Sequence, residues 1–189
     1  MEPFIVDVSS NQDHPIDWQE VKKAGCIGAI LKASQGVNYV NPYFGADLKG
    51  CNENRIPVIA YHFAMFQSVK KELALFRRVA GARARCLDIE TSTNLNWANT
   101  FLRALQAQEG FAENQTALYG SESSFPRRGL ISLSWVAAYH TVPDNSGVPN
   151  TAMWQYTETA RVPGIANDVD LSKWVGNDSD FNSLFGISA

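Results

Sequence analysis

The apolar positions fall into short runs separated by stretches of helical spacing. Phe4 to Val8 reads as a strand and ends in the polar turn Ser9-Ser10-Asn11-Gln12. Further strand-like runs cover Cys26 to Ala33, Ile56 to Phe63, Arg85 to Glu90 and Thr116 to Gly120. Helix signals lie between them. Asp17-Trp18-Gln19-Glu20 resembles a capping box, and Gly25 would stop the short helix that it opens. Asn41-Pro42 suits an N-cap with proline at the first helical position, for a helix through about Asn54. Ser68 would cap a helix to Ala80, whose Leu73, Phe76 and Val79 make one apolar face. Asn96 to Gln108 forms the next helix.

This alternation of strand and helix over short connections is the signature of a parallel sheet in an α/β fold. From residue 121 the rhythm changes. Ser134 to His140, Thr151 to Thr157 and a piece around Val169-Asp170-Leu171 are strand-like, with no convincing helix between them and many Pro, Gly and Asn residues. About five βα units followed by about three β-strands make an incomplete, TIM-like eight-stranded barrel. Such barrels carry function where the parallel strands end. Asp7, Lys32, Tyr61, the pair Asp88 and Glu90, Tyr119, Gln155 and Tyr156 fall at or near strand ends, Trp135 to Tyr139 run along one strand, and Asp170 occupies the last.

The pair at 88 and 90 is the sharpest feature. Side chains at i and i+2 on a strand share a face, with Cα atoms roughly 6.5–7 Å apart. Like charges held so close raise at least one pKa, as a general acid requires. An isolated Asp-x-Glu is more often two acids at a fraying strand end. Acids and aromatics gathered from most strands onto one rim argue for more than that.

Composition narrows the chemistry. The 189 residues suit one domain, with 45% hydrophobic and 19% charged residues. A net charge of −3 and only short basic pairs give no case for nucleic acid. No apolar run approaches the roughly 20 residues that span a bilayer. The opening Met-Glu-Pro-Phe-Ile-Val-Asp lacks a basic and a long apolar region, so no signal peptide is expected. Cys26, Cys51 and Cys86 are expected as buried free thiols, consistent with synthesis in a reducing compartment. No Cys or His pair has zinc-ligand spacing. His14, His62 and His140 form no short-range pattern. Clustered carboxylates with Trp and Tyr rings suit a glycoside hydrolase: one acid protonates the leaving oxygen, a second negative group stabilises the oxocarbenium-like centre, and aromatic faces pack on sugar rings. An acidic rim would also suit a divalent cation.

The motifs in order resemble glycoside hydrolase family 25, the Chalaropsis-type lysozymes that include many bacteriophage endolysins. The resemblance rests on Ile5-Val-Asp-Val-Ser-Ser-Asn-Gln12, Leu31-Lys-Ala-Ser-Gln-Gly36, Ile56-Pro-Val-Ile-Ala-Tyr-His-Phe63, Leu87-Asp-Ile-Glu90, Trp135-Val-Ala-Ala-Tyr139, Met153-Trp-Gln-Tyr156 and Asp168-Val-Asp-Leu171. It runs from residue 4 to about 174. It implies a flattened barrel with about five helices, and cleavage of the β-1,4 bond between N-acetylmuramic acid and N-acetylglucosamine in peptidoglycan. By position, Glu90 matches the family's proton donor. Asp88 matches the acid thought to assist the substrate's N-acetyl group or orient water, and Asp7 and Asp170 the flanking acids. Tyr61, Tyr119, Trp135, Tyr139, Gln155 and Lys32 are expected to bind substrate. Gln35 is a departure, where many members carry Glu before the glycine.

The resulting expectation is one catalytic domain over residues 1–189, with no separate wall-binding module, no cofactor and no metal. It would be a monomer whose partner is bacterial peptidoglycan, without nucleic acid or membrane insertion. It would be made in the cytoplasm and act on the wall after release, as a phage endolysin does. A hydrolase of another N-acetylated glucan such as chitin, or a non-catalytic wall-glycan-binding domain, are the alternatives.

Overall fold

A computed structural model describes residues 2–139 and 147–187. Nine strands and five α-helices are present among them: β1 Phe4–Val8, α1 Trp18–Lys23, β2 Cys26–Gln35, β3 Tyr39–Val40, α2 Phe44–Glu53, β4 Val58–Phe63, α3 Val69–Ala80, β5 Ala84–Asp88, α4 Leu95–Glu109, β6 Ala117–Ser121, β7 Leu133–Ala137, β8 Thr151–Ala160, β9 Val169–Trp174 and α5 Asp178–Phe185. The strands form one sheet in the order β1-β9-β8-β7-β6-β5-β4-β2-β3, and pairing of β1 with β2 closes it into a barrel. The expected βα alternation is there. Helices α1 to α4 lie between successive strands up to β5 and β6, and among the described residues no α-helix lies between the barrel strands from β6 onward. Helix α5 follows the last strand.

Two features differ from the pattern read along the chain. The strand pairings around the barrel from β1 through β8 are parallel, but β9 is antiparallel to both β8 and β1. Asp170 therefore reaches the functional rim from the beginning of its strand rather than from its end. The C-terminal helix α5 has the second role. Its Leu184 and Phe185 are buried in the barrel's inner cluster. The Phe185 ring fits against Gly28, where an added Cβ would lie 2.9 Å from a ring carbon. Arg85 secures the end of α5, its Nη1 donating to the Ser183 carbonyl at 3.2 Å.

Side-chain parity sorts the core into two layers. The inner layer contains Ile5, Ile30, Ile59, Cys86, Ala117, Trp135 and Met153. Their neighbours Val6, Leu31, Ala60, Leu87, Leu118 and Val136 face outward into the layer that also holds Phe76 and Phe101 of α3 and α4. Every inward position two residues further along a parallel strand is consequently near the rim. All three cysteines are buried free thiols.

Local signals held with small shifts. Asp17 caps α1, its carboxylate accepting from the Gln19 and Glu20 amides. Asn41 does not cap α2, which starts at Phe44. Its side chain instead accepts from Tyr43 N and donates to the Lys32 carbonyl, tying the β3 turn to β2. The strand read as 134–140 is observed as Leu133–Ala137, and its His140 lies outside the described residues. Among the described residues no helix is long and apolar enough to cross a membrane.

Candidate active site

The site is the inward set at the rim. Asp7 follows Ile5 by two on β1, Lys32 follows Ile30 on β2, Tyr61 follows Ile59 on β4, and Tyr119 follows Ala117 on β6. Asp88 ends β5, and the ladder hydrogen bonds carry one residue further: Ala64 N donates to the Asp88 carbonyl (2.9 Å) and Ile89 N to the Tyr119 carbonyl (3.0 Å). Ile89 is buried in the outer layer, so Glu90 returns to the side of Asp88. The expected sharing of a face holds even though the regular strand stops at Asp88. Asp7, Lys32, Tyr61, Asp88, Glu90, Tyr119 and Asp170 line one pocket of about 190 Å³. Glu90, Tyr119 and Asp170 also line a wider cleft of about 740 Å³ that continues over Ser121, Ala138 and Tyr139. A deep acidic pocket thus opens into a groove.

Gln155 organises the floor. It is fully buried. Its Oε1 accepts from the hydroxyls of Tyr119 (2.8 Å) and Tyr139 (3.1 Å), and its Nε2 donates to Asp7 Oδ2 (3.4 Å) and Asp170 Oδ2 (3.3 Å). Two hydroxyl donors at one end and two carboxylates at the other fix the amide's orientation. Trp135 is likewise buried, 1% exposed. Its indole N–H donates to Ser172 Oγ (2.9 Å), and its ring lies 4.3 Å from that of Tyr119. These two residues, expected to contact substrate, sit beneath the surface and support Tyr119 and the acids instead. Parity explains Trp135, which occupies the layer of Ala117 and Met153, one step below the rim; Gln155, two past Met153, is covered by the tyrosines and acids that it bonds. Tyr139 is exposed and lines the groove.

Lys32 is half-buried and donates to Gln35 Oε1 at 2.8 Å, with its ammonium 4.6 Å from the Phe63 ring centroid. A glutamate at 35 would pair with that ammonium. The neutral Gln35 leaves its positive charge to act on the acids.

All four acids have raised pKa values, burial being the largest cause in each. Asp88, 4% exposed, is held well above the usual carboxylate range by burial, then by Glu90 and Asp7. Asp7 is raised by burial, then by Asp170 and Glu90. Asp170 is pushed up to about 6 by burial, then by Glu158 and Glu90. Glu90 is raised by burial, while the Lys32 charge and a hydrogen bond from Tyr119 oppose the rise. Of the two close carboxyls, expected to raise at least one pKa, the structure puts the repulsion on Asp88, the more deeply buried. A carboxyl that stays protonated exerts no repulsion on its neighbour. Burial also pushes the Tyr61, Tyr119 and Tyr139 hydroxyls up, so they remain proton donors at neutral pH. Asp7 Oδ1 and Asp88 Oδ1 are buried oxygens with no hydrogen-bond partner among the described residues.

Reading along the chain missed some lining residues. Phe63 lies two past Tyr61 on the same face, and that spacing would have found it. Ser9, Asn11 and Gln12 belong to the turn after β1. Glu158 lines the groove because β8 continues to Ala160, beyond the expected end at Thr157. His62 is elsewhere. It lies in a fully buried row in which its Nδ1 is 2.9 Å from Ser34 Oγ and its Nε2 is 2.9 Å from Glu72 Oε2. This Ser-His-Glu row has the contacts of a nucleophilic triad but no access for substrate. Glu72 uses its remaining capacity to accept the Met65 and Gln67 amides, fixing the turn after β4. Among the described residues, no group of three or more His, Cys, Asp or Glu side chains could hold a metal ion.

Comparison with known proteins places this geometry. A family model described as "Glycosyl hydrolases family 25" matches residues 6–165. "Lysozyme M1" of Streptomyces globisporus is 29% identical over 201 residues, spanning 91% of this chain and 67% of that protein. The crystal structure of the bacterial lysozyme from Streptomyces coelicolor superposes with a TM-score of 0.83 at 29% identity, covering 100% of this chain and 99% of that one. The fold is also that of a family 25 glycosyl hydrolase from Bacillus anthracis, with a TM-score of 0.80 at 24% identity, covering 95% of this chain and 91% of the other.

Proposed function

The chain belongs to glycosyl hydrolases family 25, and we propose that it is a peptidoglycan hydrolase, an N-acetylmuramidase in which Glu90 and Asp88 perform the chemistry. The observation that carries this reading is the pairing of an exposed Glu90 with a buried Asp88 whose Oδ1 has no partner, both on one acid-lined pocket. Two acids on one side of the bond divide the work. Glu90, reachable from the groove and with its carboxyl raised by burial, gives its proton to the glycosidic oxygen as the bond to the anomeric carbon breaks. Asp88 lies on the same side, badly placed to attack that carbon from behind.

The 2-acetamido oxygen of N-acetylmuramic acid supplies the nucleophile. It attacks the anomeric carbon to give an oxazolinium ion, and the amide N–H points to the unpartnered oxygen of Asp88. Burial and the neighbouring acids raise the Asp88 carboxyl, and a cation formed beside it favours its carboxylate form. Water, deprotonated by the Glu90 carboxylate, then opens the ring with net retention. Asp7 and Asp170 keep the pocket acidic, with Gln155 setting their positions. Tyr61 and Lys32 present donors to the sugar, while the hydroxyl oxygens of Tyr119 and Tyr139, whose protons go to Gln155, offer acceptors.

Mass spectrometry of muropeptides from purified sacculi tests the reading. Reducing-end muramic acid supports a muramidase, while reducing-end glucosamine or cleaved stem peptides would overturn it. Equal release of reducing sugars from chitin would move the assignment to a broader N-acetylated glucan hydrolase. Glu90→Gln keeps the shape and removes the proton, so the rate falls on the order of 10²–10⁴. A variant within a fewfold of wild type removes Glu90 from the mechanism, whereas binding of sacculi by the wild-type chain with no release of reducing ends would leave a wall-binding domain as the better description.

A further inference from the structure

A second cavity, of about 430 Å³, lies on the flank of the barrel between the β1–α1 segment and α2. Its walls are aromatic. His14 and Tyr43 stack nearly parallel, with ring centroids 3.9 Å apart and planes 4° apart. Tyr43 remains 40% exposed, whereas Trp18 forms the buried floor. One carboxylate holds the rings in place. Asp47, 3% exposed, contacts His14 Nε2 through one oxygen (3.0 Å) and accepts the Trp18 indole N–H through the other (3.3 Å). Gly50 gives the indole its space, since a Cβ there would collide with it. Lys49 and Glu53 stand on the rim as an exposed pair of opposite charge.

We propose that this cavity is an accessory binding site for a glycan strand of the wall, with Tyr43 as its stacking platform; the inference rests on the wall-glycan reading of the groove. Three observations support that occupant. A ring braced from behind loses no rotamer freedom when a sugar packs on it, and aromatic faces suit the C–H faces of sugars. The polar rim offers donors and acceptors to hydroxyl and acetamido groups. The cavity also adjoins the catalytic pocket across one turn: Gln12 lines the acid pocket, and its carbonyl is 2.7 Å from His14 Nδ1, which lines the second cavity. A polymer lying over this turn would reach both sites.

Sedimentation with sacculi stripped of protein and teichoic acid, run in the Glu90→Gln background to prevent cleavage, measures the binding. Tyr43→Ala should weaken it on the order of 2–10-fold, and Tyr43→Phe should restore it. Tyr43→Leu covers His14 but has no flat ring, so it should bind as weakly as alanine while melting near the parent. Undiminished binding by both the alanine and leucine variants overturns the proposal. So does a loss seen on sacculi but absent on peptide-free glycan strands, because the occupant would then be stem peptide. Failure of the wild-type chain to release reducing-end muramic acid strikes the hydrolase reading alone, since the sedimentation result does not depend on cleavage.

Discussion

Asp7 and Asp170 are register partners across the antiparallel ladder of β1 and β9, and a single amide, that of Gln155, donates to both. Partners in such a ladder project from the same face, so closing the barrel with an antiparallel strand forces the two carboxyls together. The Asp7 carboxyl is held well above its ordinary range and that of Asp170 rises to about 6, burial leading in both cases. The two donor and two acceptor contacts of Gln155 link these acids to Tyr119 and Tyr139.

Gln155→Leu should therefore damage both fold and activity. It strands the buried Tyr119 hydroxyl, at about 1–3 kcal/mol for a buried group left unpaired. For a chain of this length that corresponds to a fall of roughly 2–12 °C in Tm, read by calorimetry. A melting point equal to wild type would show that the amide is not the hub of the network.

Asp88→Asn should give a more stable but impaired protein. A carboxyl raised in the folded state contributes its full stability below its unfolded pKa of about 3.9. That contribution is lost as pH rises through the folded value. The variant should thus melt above wild type at pH 7–8, by about 2–4 °C for each kcal/mol relieved, with the gap closing below pH 4. A gap that widens on acidification would reverse the assigned direction.

The product's configuration tests the role of Asp88. Substrate assistance delivers the β anomer first, read by NMR before mutarotation, and Asp88→Asn should abolish most activity because a neutral amide stabilises the oxazolinium poorly. An α anomer would mean inversion, with Asp88 or another acid acting as base for water. A glycosyl ester trapped on any carboxylate defeats both versions.

Activity should survive excess chelator, because the proposed steps are proton transfers between carboxyls and substrate. Clearance of a susceptible wall suspension, followed by turbidity, is the measurement. A loss restored by added calcium or zinc would place a metal in the site.

The alternation of side chains along a strand is a local property, and it was legible in the chain. Asp7, Lys32, Tyr61, Asp88 and Tyr119 could be assigned to one rim because each stands two residues beyond an inward apolar residue near the end of a parallel strand. Depth and neighbourhood along the barrel axis are not local. Trp135 and Gln155 have the right residue types for a sugar groove, yet Trp135 lies in the layer below the rim and Gln155 is covered by the tyrosines and acids that it bonds, so both hold Tyr119 and the acids from beneath. Asp170 reaches the rim because β9 runs against its neighbours, a direction no short-range pattern records. Helix α5 closes the inner cluster with Leu184 and Phe185 far along the chain from the strands that they cover. Side-chain chemistry and strand parity were written residue by residue; burial, which carboxyl bears the repulsion and the division between contact and support came only from how the closed barrel stacks its layers.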